Sequence, residues 1–267
     1  MTDLAASNSR GFARTTEQSF NKVPEVTFGF WIIKILATTL GETGGDAASM
    51  SLNLGYATSS LIFIGVFLLA VAAQMAARRF QPALYWTVVV ATTTAGTTMA
   101  DFADRSLGIG YPGGSAILFI LLMALLAIWH RYAGSVSVNT VKGPGVEAFY
   151  WMTILFSQTL GTALGDWMAD TSGFGYECGA LVFGAALALI AALYFLTNVS
   201  RTALFWSAFI LTRPLGATLG DLLDKPVANG GFAVDRFTAS GLLLAAMIVC
   251  IVLFPQRAGT HPGAKPD

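Results

Sequence analysis

Eight apolar runs divide the chain, each close to the ~20 residues that cross a bilayer core: about 26–48, 56–79, 83–103, 111–132, 147–168, 176–197, 202–223 and 235–255. The odd runs repeat one another. They read FWIIKILATTLGETGGDAAS from Phe30, YWTVVVATTTAGTTMADFAD from Tyr85, YWMTILFSQTLGTALGDWMAD from Tyr150 and FWSAFILTRPLGATLGDLLD from Phe205. In each, a Trp (Trp31, Trp86, Trp151, Trp206) is followed ten residues later by Gly (Gly41, Gly96, Gly161, Gly216) and five after that by Asp (Asp46, Asp101, Asp166, Asp221). A register held without a gap marks one structural unit used four times. The second half of the unit repeats too, through Gly55-Tyr56, Gly110-Tyr111, Gly175-Tyr176 and, one residue late, Gly231-Phe232.

Each unit therefore reads as a helical hairpin: an odd helix going out, a short polar loop and an even helix coming back. Two spans per unit give all four units one orientation, as parallel repeats about an axis along the membrane normal. The expected fold is all-α, a polytopic membrane protein of eight transmembrane helices. Its repeats fall at about 26–79, 83–132, 147–197 and 202–255, within a single domain over 23–256. Trp-to-Trp spacing is 55, 65 and 55, and the extra residues fall in the Gly/Ser/Asn stretch Gly134–Gly145. That predicts two halves of two units each, joined by a linker. Residues 1–22 and 257–267 read as polar tails, and the first lacks the apolar core of a signal peptide.

Within the odd helices, positions 8, 11, 15 and 18 after the Trp share one face, because steps of three and four return to the same side. The stripe is Thr39, Glu42, Asp46 and Ser49 in the first unit, and Thr94, Thr97, Asp101 and Asp104 in the second. It continues as Thr159, Thr162, Asp166 and Ala169 (with Asp170 one step on), then Pro214, Ala217, Asp221 and Asp224. Beside it run Gly41/Gly45, Gly161/Gly165 and Gly216/Gly220, with Gly96/Ala100 as the small-residue equivalent, spacings that let helix backbones approach closely in lipid. At 1.5 Å per residue the repeated Asp stands about 22 Å from the Trp, in the outer third of the bilayer. Pro214 and Gly216 mark the fourth odd helix as the one most prone to break.

Composition agrees with a membrane location: 55% hydrophobic, 11% charged, mean hydropathy +0.65. The net charge is zero, but ten of the fifteen basic residues precede helix 1, follow helix 8 or lie between an even helix and the next odd one. The positive-inside rule makes that side, with both termini, cytoplasmic. No basic patch with interleaved aromatics points to nucleic acid. Cys178 and Cys250 fall at opposite ends of their helices and read as small hydrophobes, and the two histidines, His130 and His261, lie away from the acidic stripe.

Ionisable side chains inside spanning segments are costly and mark function. Glu42, Asp46, Asp101, Asp104, Asp166, Asp170, Asp221 and Asp224 are the candidate ion pathway, with Thr39, Thr94 and Thr159 lining it. Asp46, Asp101, Asp166 and Asp221 are the candidate metal ligands. Crowded carboxylates need protons or a cation between them, and an oxygen-only set suits Mn²⁺, Mg²⁺ or Ca²⁺ as transported substrate rather than resident cofactor. Arg213, where the other units have Thr38, Thr93 and Gln158, needs a carboxylate partner or an anionic substrate group. Lys34 is expected to snorkel to the inner headgroups.

The fourfold hairpin with its Trp, the TxxG step and the GD/AD step resembles a family of bacterial integral membrane proteins known as a fourfold repeat of unknown function. The resemblance covers residues 22–256 and implies the eight-helix fold and a bacterial inner membrane. Glu42-Thr43-Gly44-Gly45-Asp46 is similar, more loosely, to the Glu/Gly-Asp segments of small duplicated manganese and calcium exchangers. The repeat family implies no substrate, and the exchanger likeness is an analogy. The crowded carboxylates and the threonines beside them favour a secondary transporter of a small, divalent cation, exported against protons, rather than an enzyme. Its partners would be the lipid bilayer and the cation, with a homo-oligomer left open. The rival readings are a metal-dependent lipid-phosphate enzyme using Asp101/Asp104 and Asp221/Asp224, a cation channel ringed by aspartates, and a non-transporting sensor.

Overall fold

Capping residues set where the helices begin in the computed structural model, which describes residues 22–77, 79–141, 143–171, 173 and 175–259, without the side chains of residues 170 and 171. The two expected tails, save Lys22 and residues 257–259, lie outside the described residues, as do Arg78, Lys142, His261 and the side chain of Asp170. Eight helices of eighteen residues or more appear in the described chain: α1 Phe28–Asp46, α2 Tyr56–Ala76, α3 Pro82–Asp101, α4 Tyr111–Ala133, α5 Pro144–Asp166, α6 Gly175–Leu196, α7 Arg201–Asp224 and α8 Arg236–Leu253. Thr27 and Ser200 accept from Phe30 N and Ala203 N at the starts of α1 and α7. Proline opens α3 and α5, where its missing N–H costs nothing. Asp235 caps α8 through the backbone N–H and the hydroxyl of Thr238, which together hold its carboxyl below the usual range. The repeated Gly-Tyr step is also explained: Gly55, Gly110 and Gly175 have φ of +74°, +79° and +73°, a backbone only glycine adopts freely.

Three odd helices end on their repeated aspartate and pass directly into a π-helical turn, Ala47–Ser51, Phe102–Ser106 and Trp167–Thr171. The fourth, α7, runs unbroken through Pro214 to Asp224. The break expected at Pro214 is therefore absent, and the irregular turns fall after the aspartates of the other three. Pro214 is accommodated by the missing side chain of its neighbour, since a Cβ on Gly161 would stand 3.0 Å from its Cδ.

The odd helices form a closed inner ring, with α1 packed on α3, α3 on α5, α5 on α7 and α7 on α1. The even helices lie outside it, and here the hairpin expectation changes. An even helix packs chiefly on the odd helix of the following repeat: α2 on α3, α4 on α5, α6 on α7, and α8 back on α1. The segments flanking α1 and α8 close the circle through a Pro24–Ala258 bridge, with Glu25 N to Arg257 O at 2.9 Å. The α3–α5 seam, between the two repeats that the longer linker joins, is packed like the other three.

The two rings differ in chemistry. The four even helices are long and apolar enough to cross a membrane, at 18 to 23 residues, and little of their surface is covered by protein. Leu61, Leu69, Ile120, Leu181, Leu242 and Val252 stand exposed on them. A soluble surface seldom carries so continuous an apolar face; hydrocarbon would cover it. The odd helices are buried by their neighbours, which lets them carry polar residues that lipid would reject.

Candidate cation site

Register fixes what meets inside the ring. The Gly ten residues after each Trp faces the residue seven after the next Trp: Gly41 against Thr93, Gly96 against Gln158, Gly161 against Arg213 and Gly216 against Thr38, each so close that a Cβ would collide or nearly so. One turn further on, Gly45 faces Thr97, Gly165 faces Ala217 and Gly220 faces Glu42, where a Cβ would stand 3.0, 3.0 and 2.7 Å from its neighbour. The glycines thus serve the close packing of the ring, and position 11 of each repeat is drawn to its centre.

At one end of the ring is an aromatic collar. The aromatic residue before each Trp meets the Trp of the next repeat: Phe30–Trp86, Tyr85–Trp151, Tyr150–Trp206 and Phe205–Trp31, with ring centroids 5.5, 5.6, 6.4 and 5.8 Å apart. Tyr85 and Tyr150 share a 2.8 Å hydrogen bond across it.

Above the collar, Arg213 of α7 reaches residues from all three other ring helices. Its Nη2 is 2.8 Å from Glu42 Oε2 on α1 and also meets Thr97 Oγ1 on α3 and Thr162 Oγ1 on α5. A group bonded to every wall of a four-helix ring lies across its axis, and Arg213 is wholly buried there. The sequence left open whether it met a carboxylate or a substrate anion; the carboxylate is Glu42. Lys34 does not snorkel. It is 0% exposed, because its position faces the α1–α7 seam, where Nζ sits 4.1 Å from the Phe209 ring centroid and 3.4 Å from Thr212 Oγ1.

At the other end the four repeated aspartates come together, all buried, with two basic residues among them. Lys225 lies against Asp46 and 3.0 Å from Asp221. Arg105 lies 2.9 Å from Asp101 and 3.7 Å from Asp166. Both stand nineteen residues after the Trp of their repeat, in repeats two and four, and each bridges its own aspartate to that of the next repeat. Asp224 pairs with Arg236 at 3.0 Å, and Arg236 Nε is 3.9 Å from Asp46. Asp104, at the same register, packs against Gly114 at the start of α4, with neither oxygen hydrogen-bonded to the described residues.

Among the described residues, one group of carboxylates has metal-site spacing: Glu42, Asp46 and Asp221, all buried, with ligand oxygens within 4.8 Å of one another. Two of the four expected ligands, Asp46 and Asp221, are in this group, with Glu42 of the expected ion pathway beside them. Glu42 joins the group because position 11 points inward, whereas Asp101 and Asp166 belong to the Arg105 cluster. Thr39, Thr94 and Thr159 bond back to the carbonyls of Ile35, Val90 and Leu155 at 2.9, 2.9 and 3.0 Å, so the hydroxyls that meet the central charge are those of Thr97 and Thr162. Lys225 and Arg105 were missed as site residues, although a base four residues after the repeated Asp was a readable signal.

The fold and this core define an all-α protein of four tandem repeats, with an apolar outer ring and a charged inner one. The model of a family described as a Repeat of Unknown Function (DUF347) matches residues 29–80, 84–135, 149–200 and 204–257, and the chain belongs to that family. No curated protein and no solved structure matches the chain.

Proposed function

We propose that this protein is a secondary transporter of a small divalent metal cation, exported from a bacterial cytoplasm in exchange for protons. The observation that carries the reading is the buried Glu42–Asp46–Asp221 group, whose oxygens lie within 4.8 Å of one another. An all-oxygen set of this kind suits a hard cation such as Mn²⁺, Mg²⁺ or Ca²⁺ as substrate. The Lys225 ammonium stands against Asp46 and Asp221, where it supplies the positive charge that an arriving metal would replace. Its flexible four-carbon stem, rooted just past the end of α7, gives it room to withdraw. When the metal leaves, Lys225 and protons restore the balance among the crowded carboxylates.

Passage toward the collar requires Glu42 to exchange Arg213 for the metal, since Arg213 crosses the axis between the two ends. A permanent charge in that place weighs against an open cation channel. The positive-inside bias supports a cytoplasmic collar end, with both termini on that side. Flux of Mn²⁺, Mg²⁺ and Ca²⁺ into proteoliposomes, with and without a pH gradient, tests the reading. Wild type should carry at least one ion in a gradient-dependent manner, and Asp46→Asn and Asp221→Asn should abolish that flux. Folded wild-type protein that moves none of the three ions would end the proposal.

A further inference from the structure

The segment that leads into α1 is anchored on the far side of the ring. It meets α1 at Thr27, but at its other end Lys22 Nζ donates to Glu147 Oε2 in the first turn of α5, at 3.0 Å. The same ammonium donates to the Gln74 and Met75 carbonyls at the end of α2, at 3.2 and 2.8 Å. In the ring α5 stands opposite α1, since each packs on α3 and α7. Five extended residues reach about 17 Å, enough to cross a ring whose neighbouring helices lie about 8–10 Å apart. The segment therefore crosses the collar end. Val23 within it is 3% exposed and joins the apolar cluster that holds the collar rings Trp86 and Tyr150.

Residues 256–259 run beside it. Glu25 N–H donates to Arg257 O at 2.9 Å and Gly259 N–H to Val23 O at 2.8 Å, while Gln256 Oε1 accepts from Trp86 Nε1 at 3.1 Å. The linker after α4 makes the corresponding contact in the other half, where Val136 O accepts from Trp206 Nε1 at 2.8 Å. Val136 stands three residues after α4 and Gln256 three after α8. Repeats two and four thus each send a strap to the collar Trp of the other. The paired segments 22–27 and 256–259 have little stability of their own, because two strands alone are marginal in water. What holds them down is Val23, Gln256 and, at the far end, one ammonium shared by a carboxylate and two carbonyls.

We infer that residues 22–27 and 256–259 form a lid on the collar end, latched through Lys22 to Glu147 and α2, that opens while the helical ring stays folded. For the exporter proposed above the lid is the inner gate, and that consequence alone rests on the transporter reading. Hydrogen exchange of the full wild-type chain in detergent tests the opening itself. The Glu25 and Gly259 amides should exchange well before the mid-helix amides of α1 and α5, as a unit that opens by itself does. A second test places a thiol beneath the lid, by Val23→Cys in a chain that also carries Cys178→Ala and Cys250→Ala. Its reaction with a water-soluble maleimide should be slow. Lys22→Met or Glu147→Gln should quicken it about tenfold, the effect of losing one hydrogen bond to a charged group, with the mid-helix amides still protected. Glu25 and Gly259 amides that exchange only together with the mid-helix amides would overturn the inference. So would a labelling rate that both latch variants leave unchanged. Neither readout involves a cation, so the lid and the transporter can fail separately.

Discussion

Seven residues after their Trp the first three repeats carry Thr38, Thr93 and Gln158, and the fourth carries Arg213. That single difference turns a nearly fourfold ring into one with a closed axis. Arg213→Met would leave the Glu42 carboxylate buried and unpaired, a loss of about 3–5 kcal/mol for a broken buried pair. Adding Glu42→Gln should recover a good part of it, which chemical unfolding of the single and double variants would measure. The sequence drew attention to Arg213 but could not name its partner, because Glu42 lies 171 positions away in another repeat. Lys34 was misread for a related reason. Its distance from the helix start suggested an interface, but the direction of its side chain, set by the α1–α7 seam, decides its burial.

At the level of helices, the seams rest on the glycines of the ring. Gly41 and Gly216 stand where any Cβ would collide with Thr93 or Thr38, in contact with backbone as well as side chain. Gly44, on the same helix as Gly41, has no atom within 4 Å of its would-be Cβ. Gly41→Ala and Gly216→Ala should each destabilise by about 1–3 kcal/mol through overpacking. Gly44→Ala should instead stabilise slightly, by up to about 1 kcal/mol, as alanine is the better helix former. Thermal unfolding of the three variants side by side checks both directions. The helices themselves were legible from apolar runs, Pro and Gly-Tyr steps. The π-helical turns after Asp46, Asp101 and Asp166 were not, since no local residue pattern marks the change of hydrogen bonding.

For the whole molecule, the four copies were plain in the sequence, and their assembly was not. Equal registers in every odd helix implied parallel repeats, but only the packing reveals that each even helix crosses to the next repeat. The two-half pattern read from the Trp spacing has a counterpart in chemistry rather than in the ring seams. Arg105 and Lys225 recur in repeats two and four, as do Asp104 and Asp224. Glu42 then breaks even this twofold relation, because Thr162 stands in its place in repeat three. The result, among the described residues, is one carboxylate group with metal spacing, drawn from repeats one and four.

Equilibrium Mn²⁺ binding to the purified protein tests that asymmetry most directly. Titration calorimetry should find a site in wild type that Glu42→Gln, Asp46→Asn and Asp221→Asn each abolish, while Asp166→Asn keeps it within a fewfold of wild type. Equal losses from all four variants would mean the aspartates act as one symmetric ring. No Mn²⁺ bound by folded wild-type protein would contradict the site itself.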